Sequence, residues 1–108
     1  MPKQEITLTD GSPVTPDHRD INSDTGMQKG YVVLSADERA KGFVRPVRRS
    51  YVHEKCGSVT TMGQALAETY ARDPHFYSGT FCCECMAHFP VGEDGEFVWD
   101  GTNEKVGT

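Results

Sequence analysis

The chain has 108 residues, a formal net charge of −5 and a sequence pI of about 5.2. Its length predicts one modest domain, and no apolar run approaches the roughly 18 residues that a membrane span needs. Because the first residues lack a secretory pattern, we expect a soluble cytoplasmic protein whose thiols stay reduced.

The first 29 residues predict a weakly ordered N-terminal arm. Three prolines, many polar residues and few large apolar groups provide little material for a core. Asp10-Gly11 lies between Ile6/Leu8 and Val14, where it can close a short β-hairpin. An isolated hairpin is marginally stable in water, so the arm is either docked on the main body or disordered.

The main domain is expected over residues 30–102. The apolar, β-branched run at 31–34 predicts a buried strand. Ser35 and Glu38 form a capping-box pair, which predicts a helical turn over 36–41. An extended stretch follows at 43–53, with an edge position or a bulge at Pro46, which has no N–H to donate.

The strongest helix signal covers residues 61–73, with Thr61 as the N-cap and Pro74 marking its end. Beyond it, residues 80–91 and 96–100 predict two strands joined through a glycine-containing loop at 92–95. Phe97 and Trp99 share one face of the second strand and form either core or an exposed aromatic platform. Residues 103–108 are expected to be a flexible tail.

Two short motifs carry metal-ligand chemistry. His53 and Cys56 are three positions apart, and Cys82 and Cys85 repeat that spacing after the predicted helix. Two intervening residues let a tight turn aim both side chains at one point, as in sites that hold tetrahedral Zn²⁺. The sequence therefore predicts a Cys₃His zinc site.

The ligand set keeps alternatives open. Cys83 adjoins Cys82, and neighbours in a strand point to opposite faces, so Cys83 can replace Cys82. His88 can likewise replace His53. Buried inert thiols, a redox pair at Cys82 and Cys85 and structural disulfides are the competing interpretations of the cysteines.

The predicted site is structural, since four protein ligands leave no position for an activated water. An enzyme, whether a zinc hydrolase or a thiol oxidoreductase, is therefore not expected. The predicted fold class is α+β: a small zinc-stabilised domain of antiparallel strands and hairpins, with one main helix between two zinc-binding turns. A core this small rarely supplies more than about 3–5 kcal/mol of stability, which a structural metal would supplement.

Residues 30–102, with "TTMGQALAETYARDP" and "GEFVWDGT" as the most distinctive stretches, resemble a group of small zinc-binding, zinc-ribbon-like proteins of bacteriophages and prophages. The resemblance implies a phage-type protein, in the bacterial host cell or the phage particle, with ligands at His53, Cys56, Cys82 and Cys85. The additional Cys83 departs from the group's pattern. The group implies no established activity.

The expected function is therefore a non-enzymatic binding module with a protein partner; the sequence leaves its oligomeric state open. The alternative is nucleic-acid binding, because residues 31–60 carry a charge of +3 and residues 61–108 carry −6. The candidate contacts of this alternative are Arg45, Arg48, Arg49 and Lys55. The acidic pI opposes it, since dedicated nucleic-acid binders have pI values above about 9. The basic segment can instead face the acidic half of the same fold.

Overall fold

The computed structural model describes residues 5–22, 25–28 and 30–108. The strands of this part of the chain are β1 (Ile6–Leu8), β2 (Val32–Leu34), β3 (Ser50–His53), β4 (Val59–Thr61), β5 (Gly79–Cys82), β6 (Ala87–Pro90) and β7 (Phe97–Trp99). The helices are α1 (Ala36–Arg39) and α2 (Gln64–Arg72).

The strands form three small antiparallel sheets: β1–β2, β4–β3–β7 and β5–β6. The expectation of antiparallel strands with one main helix is confirmed at this coarse level. Among the described residues, no helix is long and apolar enough to cross a membrane.

The described part of the N-terminal arm is docked on the body. β1 pairs with β2, with Thr7 opposite Val33, so the predicted hairpin between Ile6–Leu8 and Val14 is wrong. A turn does form at Asp10, whose carboxylate accepts the Ser12 N–H at 2.9 Å. The open edge of β2 supplies the partner strand instead, because Val33 is fully buried and anchors that ladder. Residues 1–4, 23, 24 and 29 of the predicted arm lie outside the described residues.

Helix α2 begins later than expected. Its N-cap is Gly63, which makes no side-chain cap, so the predicted Thr61 cap is wrong. Thr61 ends β4, and its hydroxyl lies 2.9 Å from that of Ser50 on the paired strand. Thr61 is therefore held by pairing with β3 and is not used as a helix cap.

The segment after α2 also differs from the prediction. Residues 80–91 are not one strand, because the chain reverses between β5 and β6, which pair with Phe81 opposite His88. β7 joins β3 and is not paired with β6. Phe97 and Trp99 are 0% and 3% exposed, so they form core and not an exposed platform.

The core joins three parts of the fold: the sheet β4–β3–β7, helix α2 and the β5–β6 hairpin. Its buried members are Tyr51, Met62, Ala67, Tyr70, Cys82, Phe97, Trp99 and Val106. Val106 is fully buried, and its N–H donates to the Phe97 carbonyl at 3.0 Å. The prediction of a flexible tail at 103–108 is therefore wrong at Val106, because one buried valine and its backbone bond tie this polar segment to β7.

Candidate metal centre

The first turn of the centre connects β3 to β4. His53 is the last residue of β3, and Cys56 lies in the turn. The N–H of Gly57 donates to the His53 carbonyl at 2.7 Å. Gly57 adopts a φ of 76°, in the left-handed region that glycine enters without steric cost. This conformation closes the turn and brings the two side chains to the same side.

The second turn connects β5 to β6 and repeats that construction. Cys82 ends β5, and Cys85 lies in the turn. The N–H of Met86 donates to the Cys82 carbonyl at 2.8 Å, and Met86 has a φ of 53°. Each pair of candidate ligands is thus followed by a left-handed residue that bonds back to the first ligand.

The two turns bring four candidate ligand atoms together. His53, Cys56, Cys82 and Cys85 each offer one atom, and all four atoms lie within 4.8 Å of one another. The sulfurs of Cys56 and Cys82 are 3.6 Å apart, and the Cys85 sulfur is 3.6 Å from Nδ1 of His53. These four residues can therefore hold a metal ion.

The Cys56–Cys82 and Cys85–His53 distances match those around a tetrahedral ion with nitrogen and sulfur ligands. Bond lengths of about 2.3 Å to sulfur and 2.0–2.1 Å to nitrogen place two sulfurs about 3.8 Å apart, and a sulfur and a nitrogen about 3.6 Å apart. The four thiols are free, and 3.6 Å between Cys56 and Cys82 sulfurs far exceeds the roughly 2.05 Å of a disulfide.

His53 is oriented by its surroundings. Its Nε2 lies 2.8 Å from Oε1 of Glu96, so this nitrogen carries the proton and the lone pair of Nδ1 points to the sulfurs. A carboxylate on the outer nitrogen is the usual partner of a metal-binding histidine. The ring packs against both Phe89 and Phe97, with centroids 4.5 Å and 4.8 Å away, and the residue is 2% exposed.

The electrostatics of the site suit a cation. A backbone hydrogen bond from Ser58 is the main cause that lowers the pKa of Cys56 to about 6. Desolvation, followed by the neighbouring Cys82 and Cys56, raises the pKa of Cys85 to about 11. The surroundings thus favour a thiolate at Cys56 and disfavour a second thiolate at Cys85. A cation between the sulfurs would offset the repulsion between the two negative charges.

The hydrogen bond from His53 is also the main cause that lowers the pKa of Glu96. Lys55 adds to this effect, with its Nζ 3.5 Å from Oε2 of Glu96. Glu96 was not a sequence candidate. It precedes β7, and only the β3–β7 pairing, which sets His53 opposite Phe97, brings it to the imidazole.

Cys83 and His88, the alternative ligands that the sequence offered, lie outside the four-residue group. The exposed Cys83 thiol donates to the Val59 carbonyl at 3.4 Å. Nε2 of His88 lies 2.8 Å from the hydroxyl of Tyr31.

The basic candidates for nucleic-acid contact are engaged within the chain. Arg48 bonds to Glu104 at 2.9 Å and lies 4.8 Å over the Trp99 ring. Nε of Arg49 donates to the Met62 carbonyl at 3.1 Å. The other two candidates also have partners: Arg45 donates to the Thr108 carbonyl, and Lys55 pairs with Glu96.

Comparison with protein-family models, curated proteins and solved structures found no match to this chain. The interpretation of the centre therefore rests on its geometry and chemistry. The resemblance to phage proteins stays a prediction.

Gly57 offers a test of the turn geometry. An added Cβ would meet nothing within 4 Å, so substitution there tests the backbone conformation alone. We expect Gly57→Ala to lower the free energy of unfolding by about 1–2 kcal/mol, because the left-handed region is costly for L-residues. Gly57→Asn should cost less, since asparagine tolerates that region.

Urea denaturation of the metal-loaded chain measures both variants. Equal losses for alanine and asparagine, or none for either, would contradict the requirement for a left-handed backbone at this position.

Proposed function

We propose that the chain is a zinc-stabilised, non-enzymatic binding module in which His53, Cys56, Cys82 and Cys85 hold one structural Zn²⁺. The observation that carries the proposal is the meeting of four ligand atoms within 4.8 Å, contributed by two turns of the same design. Thiolate and imidazole ligands in a tetrahedral arrangement favour zinc over magnesium or calcium, which prefer oxygen.

A structural role follows from the number and engagement of the ligands. Three sulfurs and one nitrogen fill a tetrahedral shell and leave no position for a reacting water. Two carboxylates near the cluster are already engaged: Glu96 accepts from His53, and Glu54 pairs with Lys105. The chain's own residues at the site therefore orient and shield the ligands.

The proposed ion would join parts of the fold that belong to different sheets. His53 and Cys56 come from the β3–β4 hairpin, whereas Cys82 and Cys85 come from the β5–β6 hairpin. Structural zinc binds zinc-finger peptides with an apparent free energy of about 10–16 kcal/mol near neutral pH. Even part of that energy is large beside the roughly 3–5 kcal/mol that a core of this size supplies.

Cysteine substitutions test the ligand set. We expect the wild-type chain to bind one equivalent of zinc, and Cys56→Ser to lose most of that affinity because a neutral hydroxyl replaces a thiolate ligand. Cys83→Ser is the matched control, since its thiol contacts Val59 outside the cluster. Elemental mass spectrometry and competition with a chromogenic chelator measure both quantities. Retention of zinc by Cys56→Ser, or its loss in Cys83→Ser, would contradict the assignment.

For the partner, we favour a protein, in keeping with the phage-type origin that the sequence suggests. Phe97 and Trp99 are core residues and cannot provide the contact surface. A more suitable surface is the loop of residues 43–47, whose Phe43, Val44 and Val47 are 46%, 58% and 36% exposed. The engagement of Arg48, Arg49 and Lys55 within the chain argues against a phosphate-binding surface.

A measurement of nucleic-acid binding distinguishes a protein partner from a nucleic-acid partner. Fluorescence anisotropy with mixed-sequence DNA and RNA at low salt should show no saturable binding, and Arg48→Ala with Arg49→Ala should change nothing. Phosphate-directed binding weakens steeply as salt rises, because counterions are released. Salt-dependent binding that these two substitutions weaken would instead establish the nucleic-acid alternative.

A further inference from the structure

A cavity of about 540 Å³ lies between the docked arm and the main body, away from the four candidate ligands. Val14, His18 and Arg19 of the arm form one wall. Tyr31, Phe76 and His88 of the body contribute to the other. Its volume falls within the roughly 300–1,000 Å³ of small-molecule sites in proteins.

Three nitrogen-bearing side chains line the cavity. Arg19 contributes a guanidinium, and His18 and His88 contribute imidazoles. The lining contains no aspartate or glutamate among the residues that the structure describes, although the whole chain has 16 acidic residues. This lining favours a negatively charged group over a cation.

Gln28, Tyr31 and His88 form a hydrogen-bonded chain along one wall of the cavity. The backbone N–H of Gln28 donates to the Tyr31 hydroxyl at 3.3 Å. That hydroxyl lies 2.8 Å from Nε2 of His88. The Tyr31 hydroxyl donates to Nε2 or accepts from it according to the tautomer of His88, so Nδ1 of His88 offers a ligand a donor in one tautomer and an acceptor in the other. Burial lowers the pKa of His88 and raises that of Tyr31, so both groups are neutral near pH 7.

Across the cavity, Nδ1 of His18 lies 2.8 Å from the Thr15 carbonyl, to which it donates. This bond orients the ring, and Nε2 is then an acceptor in the neutral imidazole and a donor to an anion only in the imidazolium. In the described part of the chain, Arg19 makes no hydrogen bond or ion pair with another residue. A guanidinium with no carboxylate partner is the strongest anion-binding group in the lining.

Most of the other lining residues are apolar or aromatic, with Gln28 and Ser78 as polar exceptions. Phe76, Tyr77 and Tyr31 provide rings, and Ile6, Val14 and Val32 provide aliphatic groups. We propose that this cavity binds a small organic anion, with its carboxylate or phosphate on Arg19 and a planar apolar body against the aromatic wall. This proposal is independent of the metal centre.

The test uses benzoate and phenyl phosphate as probes of the two anionic groups, with benzamide as the uncharged control. Titration of the full-length, zinc-loaded chain is followed by ¹H–¹⁵N NMR. We expect saturable shifts at Arg19, Tyr31 and Phe76 with at least one anion, and binding by benzamide that is about tenfold weaker or more. Equal binding of benzamide, or no saturable shift with either anion, would overturn the proposal.

Arg19→Gln should weaken binding of the anion by about tenfold or more, because a neutral amide replaces the charge-assisted bond. Arg45→Gln is the matched control: it removes the same charge from an exposed arginine outside the cavity. Equal affinity in Arg19→Gln and the wild type would refute the role of Arg19. Zinc content should be unchanged in both variants, so failure of this proposal leaves the metal assignment intact.

Discussion

The convergence of two short turns on one point is the constraint on which the fold depends. Each turn supplies one candidate ligand from the end of a strand and a second candidate three residues later. Each then closes with a left-handed residue that bonds back to the first ligand, Gly57 in one turn and Met86 in the other. Because the two turns belong to different sheets, any ion held between them also fixes how those sheets are arranged.

The core and the candidate centre support each other at His53. Its ring packs against Phe89 of the β5–β6 hairpin and Phe97 of β7, while Glu96 holds its outer nitrogen. The side chain that offers a ligand atom is therefore also a packing element between the two sheets. Cys82 combines the same two roles, since it is fully buried and belongs to the core cluster. The cavity beside the arm shares none of these residues, which separates the ligand proposal from the structural one.

The sequence predicted the site better than the topology around it. Spacing predicted the pairs His53/Cys56 and Cys82/Cys85, with Cys83 and His88 as alternates, because a two-residue gap is a local property of a tight turn. Cys82 could not be chosen over Cys83 from sequence, since that choice depends on which face of β5 is buried. Glu96 was missed because only the register of β3 with β7 brings it to His53.

The remaining errors have the same origin in long-range contacts. Strand β1 of the arm pairs with β2 and not with the segment around Val14, and Val106 anchors a tail whose composition is polar. Thr61 has the residue type of a helix cap but is used as a strand residue opposite Ser50. In each case a tertiary partner outweighs the local preference, and no short window of sequence contains that partner.

The most direct measurement of the central claim is the free energy of unfolding of the full-length chain with one equivalent of zinc and after complete removal of metal. Urea denaturation followed by tryptophan fluorescence reports on Trp99 in the core. We predict that metal removal lowers the free energy of unfolding by about 3–5 kcal/mol, as much as the core supplies, so that the metal-free chain is largely unfolded without denaturant. An identical unfolding curve with and without zinc, in protein shown to be metal-free by elemental analysis, would contradict it.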